Sequence, residues 1–70
     1  MTLGERLRQA RTHTEMTQTE VQKRTNINSK TLSNWEYNVS RPSTDDLVIV
    51  AVTYGVSTDY LLDYCQYWPT

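Results

Sequence analysis

Residues 17–38 read TQTEVQKRTNINSKTLSNWEYN, and the caps within this stretch decide how the rest of the chain is arranged. Thr17 with Glu20 three residues later has the form of a capping box, in which hydroxyl and carboxylate each take one free amide at a helix start. Met16 before the cap and Val21 after it supply a hydrophobic staple. The helix should end at Thr25-Asn26, because Asn is the non-glycine residue that best tolerates left-handed backbone. Asn28 then caps another helix, stapled by Ile27 and Leu32. Two stapled caps eleven residues apart predict two short helices joined by a tight polar turn.

The second of these helices has an unusual surface. At about 100° per residue, Ser29, Lys30, Ser33, Asn34 and Tyr37 share one polar stripe, while Thr31, Leu32 and Trp35 face the other way. A solvated helix face would also be polar. Small hydrogen-bonding groups and one cation, held outward by an apolar anchor behind a fixed turn, are better suited to reading the edges of bases. The stretch therefore predicts a helix-turn-helix over about residues 17–37, its second helix aimed at the major groove of DNA. Trp35 is expected in the core and not as a stacking platform.

Upstream, Leu3, Leu7 and Ala10 recur at helical spacing, predicting a helix from about Thr2 to Thr14 with Glu5, Arg8, Gln9 and Thr12 outside. Gly4 should cost its first turn a little. Arg11 borders the apolar stripe, so it is expected to be partly buried and to need a partner. Downstream, Ser43-x-x-Asp46 is a box-like cap, and two Asp in the first turn suit the helix dipole. The run LVIVAV (residues 47–52) is rich in β-branched residues and could form a strand. Helix is preferred, because Leu47, Val50, Ala51 and Tyr54 fall on one face and Gly55 stands where a terminating glycine belongs. Ser57 caps a last short helix containing Tyr60, Leu61 and Leu62. The expected fold is all-α, a compact five-helix domain spanning residues 1–70. Tyr60, Tyr64, Tyr67 and Trp68 recur at helical spacing and fit either plain core and tail or a self-association surface.

Net charge is −1 and the pI about 5.6, which taken alone argues against a nucleic-acid partner. The distribution argues the reverse. All seven basic residues precede Pro42, against four Glu, and only four Asp follow it, so one basic face is expected. Cys65 is the lone cysteine, which excludes an internal disulfide and fits a reducing cytoplasm. Six apolar residues in a row fall far short of the ~20 of a membrane span, and the charged first turn does not read as a secretory signal. His13 should be solvated, with no ligand-spaced neighbour, so neither metal nor cofactor is expected. His13 and Cys65 are the only candidate base and nucleophile, and nothing orients them, so an enzyme is not expected.

From Leu3 to Leu62 the chain resembles the Xre-type helix-turn-helix family, which includes the lambdoid phage repressors and Cro proteins. The resemblance rests on Thr17-Gln18-x-Glu20-Val21, Leu32-Ser33-x-Trp35-Glu36, Arg41-Pro42-Ser43, Leu47 and Gly55-Val56-Ser57-x-Asp59-Tyr60-Leu61-Leu62. It implies a repressor-like domain and a sequence-specific DNA-binding regulator, bacterial or phage. It places Thr17 and Gln18 at a phosphate, as a helix N-terminus favours, with Asn28, Tyr37 and Arg41 also near the backbone. Ser29, Lys30 and Asn34 would meet base edges, with Ser33 on the same stripe. Lys30 suits guanine and Asn34 suits adenine. Arg11 and Glu36 match a buried ion pair of the family. The expected partners are a double-stranded operator and a second copy, joined through Val56, Tyr60, Tyr64 and Trp68 in a segment over 56–70. The alternative is a protein-interaction module, such as an antitoxin or an antirepressor-binding domain, using the acidic C-terminal half. Many relatives carry a further C-terminal domain, so the chain is either a whole regulator or its DNA-binding part. Three positions depart from the family pattern. Asn26 and Asn38 stand where Gly is usual, and Gln22 stands where a small Ala lets the two helices approach. Gln22 should reach either a phosphate or the start of the next helix.

Overall fold

Each helix starts where a side chain takes one of its free amides. The computed structural model describes residues 2–62, and these form α1 (Leu3–His13), α2 (Gln18–Thr25), α3 (Ser29–Glu36), α4 (Thr44–Tyr54) and α5 (Thr58–Leu62). Thr17 and Glu20 make the expected reciprocal box, with Glu20 N donating to Thr17 Oγ1 at 3.1 Å and Thr17 N to Glu20 Oε1 at 3.0 Å. Thr2 and Glu5 form the same box, so Thr2 caps α1 and lies outside it. These backbone bonds hold the Glu5 and Glu20 carboxyls below the ordinary carboxylate value. At Ser43 only the hydroxyl half is made, from Asp46 N at 3.2 Å. The shorter aspartate makes no return bond among the described residues. Ser57 caps α5 through Tyr60 N at 3.0 Å.

The helices stop as the residues require. Asn26 and Gly55 take left-handed backbone at φ 63 and φ 71, ending α2 and α4. Asn38 does the same at φ 62. Glu15, at φ 60 in the α1–α2 link, is a further left-handed residue that nothing in the sequence flagged. The run 47–52 is helical, and Leu47, Val50, Ala51 and Tyr54 are all buried. They join Leu7, Ala10, Met16, Val21, Leu32, Trp35 and Leu61 in one core. Among the described residues no helix is long and apolar enough to cross a membrane.

Gly4 corrects the expectation drawn from helix propensity. A Cβ there would stand 2.5 Å from the Glu36 carbonyl oxygen and 2.6 Å from that of Trp35. The missing side chain is what lets α1 lie against the end of α3. Asn38 fastens the same junction, its Oδ1 accepting from Gly4 N at 3.0 Å and its Nδ2 donating to Thr2 Oγ1 at 2.9 Å. Arg6 is also mostly buried, with its guanidinium 5.0 Å from the Tyr60 ring centroid. It therefore does not belong to the basic surface.

Tyr54 is only 4% exposed, and burial pushes its phenol up to about 12 from 10.0, helped by the nearby Glu36 and opposed by Arg11. The raised value means that the neutral phenol is favoured in the folded chain, so its contribution is full below pH 10 and lost between about pH 10 and 12. Two pKa units correspond to roughly 2–3 kcal/mol. Denaturant melts in steps from pH 9 to 12 should show this loss in the native sequence and a much shallower one in Tyr54→Phe. Parallel curves for the two would mean that Tyr54 ionises as freely when folded as when unfolded.

Candidate nucleic-acid interface

The residues expected at DNA lie at the N-terminus of α2, on the outer side of α3 and in the loop that follows it. Leu32 and Trp35 anchor α3 at 2% and 4% exposure. The opposite stripe emerges as the helical period demands, with Lys30 and Tyr37 exposed and Ser29, Ser33 and Asn34 half-buried. Among the described residues the side chains of these five make no hydrogen bond to the rest of the domain, so their donors and acceptors remain available to another molecule. Arg41 is exposed in the loop that follows α3.

Behind this stripe lies the ion pair. Arg11 Nε donates to Glu36 Oε2 at 2.7 Å and Nη2 to Oε1 at 3.0 Å, the two-pronged arrangement natural to guanidinium and carboxylate. Arg11 Nη1 also donates to the Met16 carbonyl at 2.9 Å, bracing the link into α2. The bond to Glu36 raises the guanidinium pKa further. Gln18 Nε2 donates to the same Glu36 Oε1 at 3.2 Å, which spacing alone did not reveal. The buried carboxylate therefore fixes one amide hydrogen of Gln18. Among the described residues the backbone N–H groups of Gln18 and Thr19 at the start of α2 make no hydrogen bond, while the Thr17 hydroxyl takes that of Glu20 and the Glu20 carboxylate takes that of Thr17.

The turn between α2 and α3 answers the question posed by Gln22. Its Oε1 accepts from Ser29 N at 2.7 Å, so it bonds the start of α3. Asn28 Oδ1 accepts from Lys30 N at 2.8 Å. Asn28 is thus a cap first, with only its amide nitrogen left for a phosphate. Of the residues expected to join two copies, Val56 and Tyr60 are described. Val56 is partly buried against the core, and Tyr60 donates its hydroxyl to Gln9 Oε1 at 3.1 Å. Both line an open cleft between the end of α1 and the α4–α5 corner. Tyr64 and Trp68 lie outside the described residues, as does Cys65. His13 is exposed at the end of α1.

Comparison with known proteins agrees with this geometry. A family model described as a helix-turn-helix domain matches residues 4–64. The HTH-type transcriptional regulator ImmR of Bacillus subtilis (strain 168) is 45% identical over 62 residues, which is 89% of this chain and 49% of that protein. The chain thus spans about half the length of this relative. Among solved structures, the P22 c2 repressor protein in complex with synthetic operator 9T in the presence of Tl+ matches with a TM-score of 0.83 and 27% identity, covering 89% of this chain and 94% of that one. A five-helix domain with two stapled caps around a tight turn and this span of sequence similarity belongs to the helix-turn-helix family of the Xre type.

Proposed function

We propose that the chain is a sequence-specific double-stranded DNA-binding transcriptional regulator, a repressor, that acts in the cytoplasm. The observation that carries the proposal is the outer face of α3, whose side chains make no bonds within the described residues although the helix beneath them is rigidly anchored. That the P22 c2 repressor was captured on an operator supports the same use of a similar fold. Thr17 and Gln18 hold a phosphate at the α2 N-terminus, where free amides and the helix dipole favour an anion. Asn28, Tyr37 and Arg41 add contacts to the backbone. Ser29, Lys30, Ser33 and Asn34 read base edges, Lys30 at guanine and Asn34 at adenine. Two copies meeting around Val56 and Tyr60 present two α3 helices to half-sites about one helical turn apart.

Selection of bound duplexes from random DNA tests the reading, with inverted repeats at that spacing as the expected outcome. Variants then separate positioning from reading. Asn34→Ala should cost about 1–3 kcal/mol on the selected site and relax preference at one base pair per half-site. Gln18→Ala should weaken all operator variants about equally, since phosphates carry no sequence. A panel of single-base variants titrated against both proteins gives the answer. A uniform loss for Asn34→Ala would remove α3 from base reading.

A further inference from the structure

Gln22 departs from the family pattern, and its hydrogen bond decides what its side chain offers. It is an exposed residue of α2 whose Oε1 accepts the Ser29 backbone N–H at 2.7 Å. The identity of the acceptor atom is not in question, because an amide N–H can bond only to the oxygen of the side-chain amide. The carboxamide is therefore held with its oxygen committed to α3 and its NH₂ directed away from that bond. Asn28 beside it is fixed in the same sense, with Oδ1 committed to Lys30 N. Two amide groups at the mouth of the turn thus turn their oxygens toward α3 and their NH₂ donors away from it, next to the first residues of the outward stripe of α3.

We propose that Gln22 is an additional DNA-contacting residue, a fixed hydrogen-bond donor to an acceptor group beside the bases met by Ser29 and Lys30. The inference rests on the DNA-binding reading above. It also limits the chemistry. A glutamine reads adenine by accepting and donating at once, and the bond from Ser29 N holds the Gln22 oxygen toward α3, so the donor side of the amide is what Gln22 offers. Its target is an acceptor group, a phosphate oxygen or a purine or pyrimidine carbonyl or ring-nitrogen edge. Because the amide is already oriented, little side-chain freedom is lost on contact.

The test uses the full chain and the duplex that the wild type selects. Gln22→Glu keeps an acceptor for Ser29 N and removes both donors, whereas Gln22→Ala removes both functions. Gln22→Glu should melt like the wild type and bind ~10-fold or more weakly, the scale of one hydrogen bond to a charged partner. Repulsion between the new carboxylate and DNA contributes to that loss, so the deciding measurement is a coupling. Wild type and Gln22→Ala are titrated against duplexes carrying one methylphosphonate at a time, then against duplexes with one major-groove base acceptor removed at a time. At one position the modification should weaken the wild type ~10-fold and leave Gln22→Ala unchanged. The methylphosphonate series identifies a phosphate as the partner, and the base-analogue series identifies a base edge. Equal responses of the two proteins at every position would overturn the proposal and leave DNA binding standing. A wild type that selects no duplex at all would overturn both.

Discussion

Arg11→Met alone should destabilise the domain by about 3–5 kcal/mol, Glu36→Leu alone by a similar amount, and the double variant by much less than the sum. The pair is mostly withdrawn from water, with side chains 14% and 4% exposed, and is held by two bonds of 2.7 and 3.0 Å. Among the described residues, removal of Arg11 leaves the carboxylate with a single neutral partner, the Gln18 amide. Removal of Glu36 leaves a guanidinium whose only other hydrogen-bond partner among the described residues is the Met16 carbonyl. Either residue charge is costly in so apolar a setting, and a domain of this size has a total stability of only about 4–10 kcal/mol. Each single variant should therefore sit close to unfolding at room temperature. With both charges gone, Met and Leu can pack against each other and the desolvation cost disappears. Urea melts of the four proteins measure the cycle, and additive losses would show that the two residues act independently. The Glu36 variant should also lose DNA affinity beyond its folding defect, because Gln18 loses the bond that fixes its amide.

Gly4→Ala should cost about 3 kcal/mol, although alanine is the better helix former by ~1 kcal/mol. The added methyl would meet two backbone carbonyl oxygens and, at 2.8 Å, Asn38 Oδ1. Backbone at the end of α3 cannot step aside as a flexible side chain can. Relief requires α1 to move off α3, which would also break the Asn38 bonds to Gly4 and Thr2. Gly55→Ala is the informative contrast. Nothing lies within 4 Å of its would-be Cβ, and only the left-handed φ of 71° opposes the change, at about 1–2 kcal/mol. Equilibrium unfolding of both variants should rank Gly4→Ala as the more damaging. If Gly4→Ala is as stable as the native chain, the close approach of α1 and α3 is not required by the fold.

Sequence alone was enough for most of what depends on near neighbours, though not for the Thr2–Glu5 box or the left-handed Glu15. The boxes at Thr17, the caps at Asn28, Ser43 and Ser57, and the left-handed stops at Asn26 and Gly55 are decided within a turn of chain, where backbone groups either find a partner or do not. The helical period likewise fixed which side of α3 faces the core, and so which residues the outer stripe contains. It also decided against a strand at 47–52, because burying one helical face gives those residues a shared core. The Arg11–Glu36 pair was legible through family resemblance only, since no local pattern joins residues 25 positions apart. Tertiary structure decided the rest. Gly4 looks like a weak helix former until α3 is brought against it, and Asn38 looks like a loop residue until it reaches α1, 34 and 36 positions away. Gln22 had two open targets until the α2–α3 angle set Ser29 N within 2.7 Å. Gln18 and Arg6 kept their surface appearance until packing gave them Glu36 and the Tyr60 ring. The physical reason is common to all of them. Caps and periodicity are properties of one segment, whereas a close approach, a buried carboxylate's partners and the direction of an amide depend on distances between segments that only the packed core fixes.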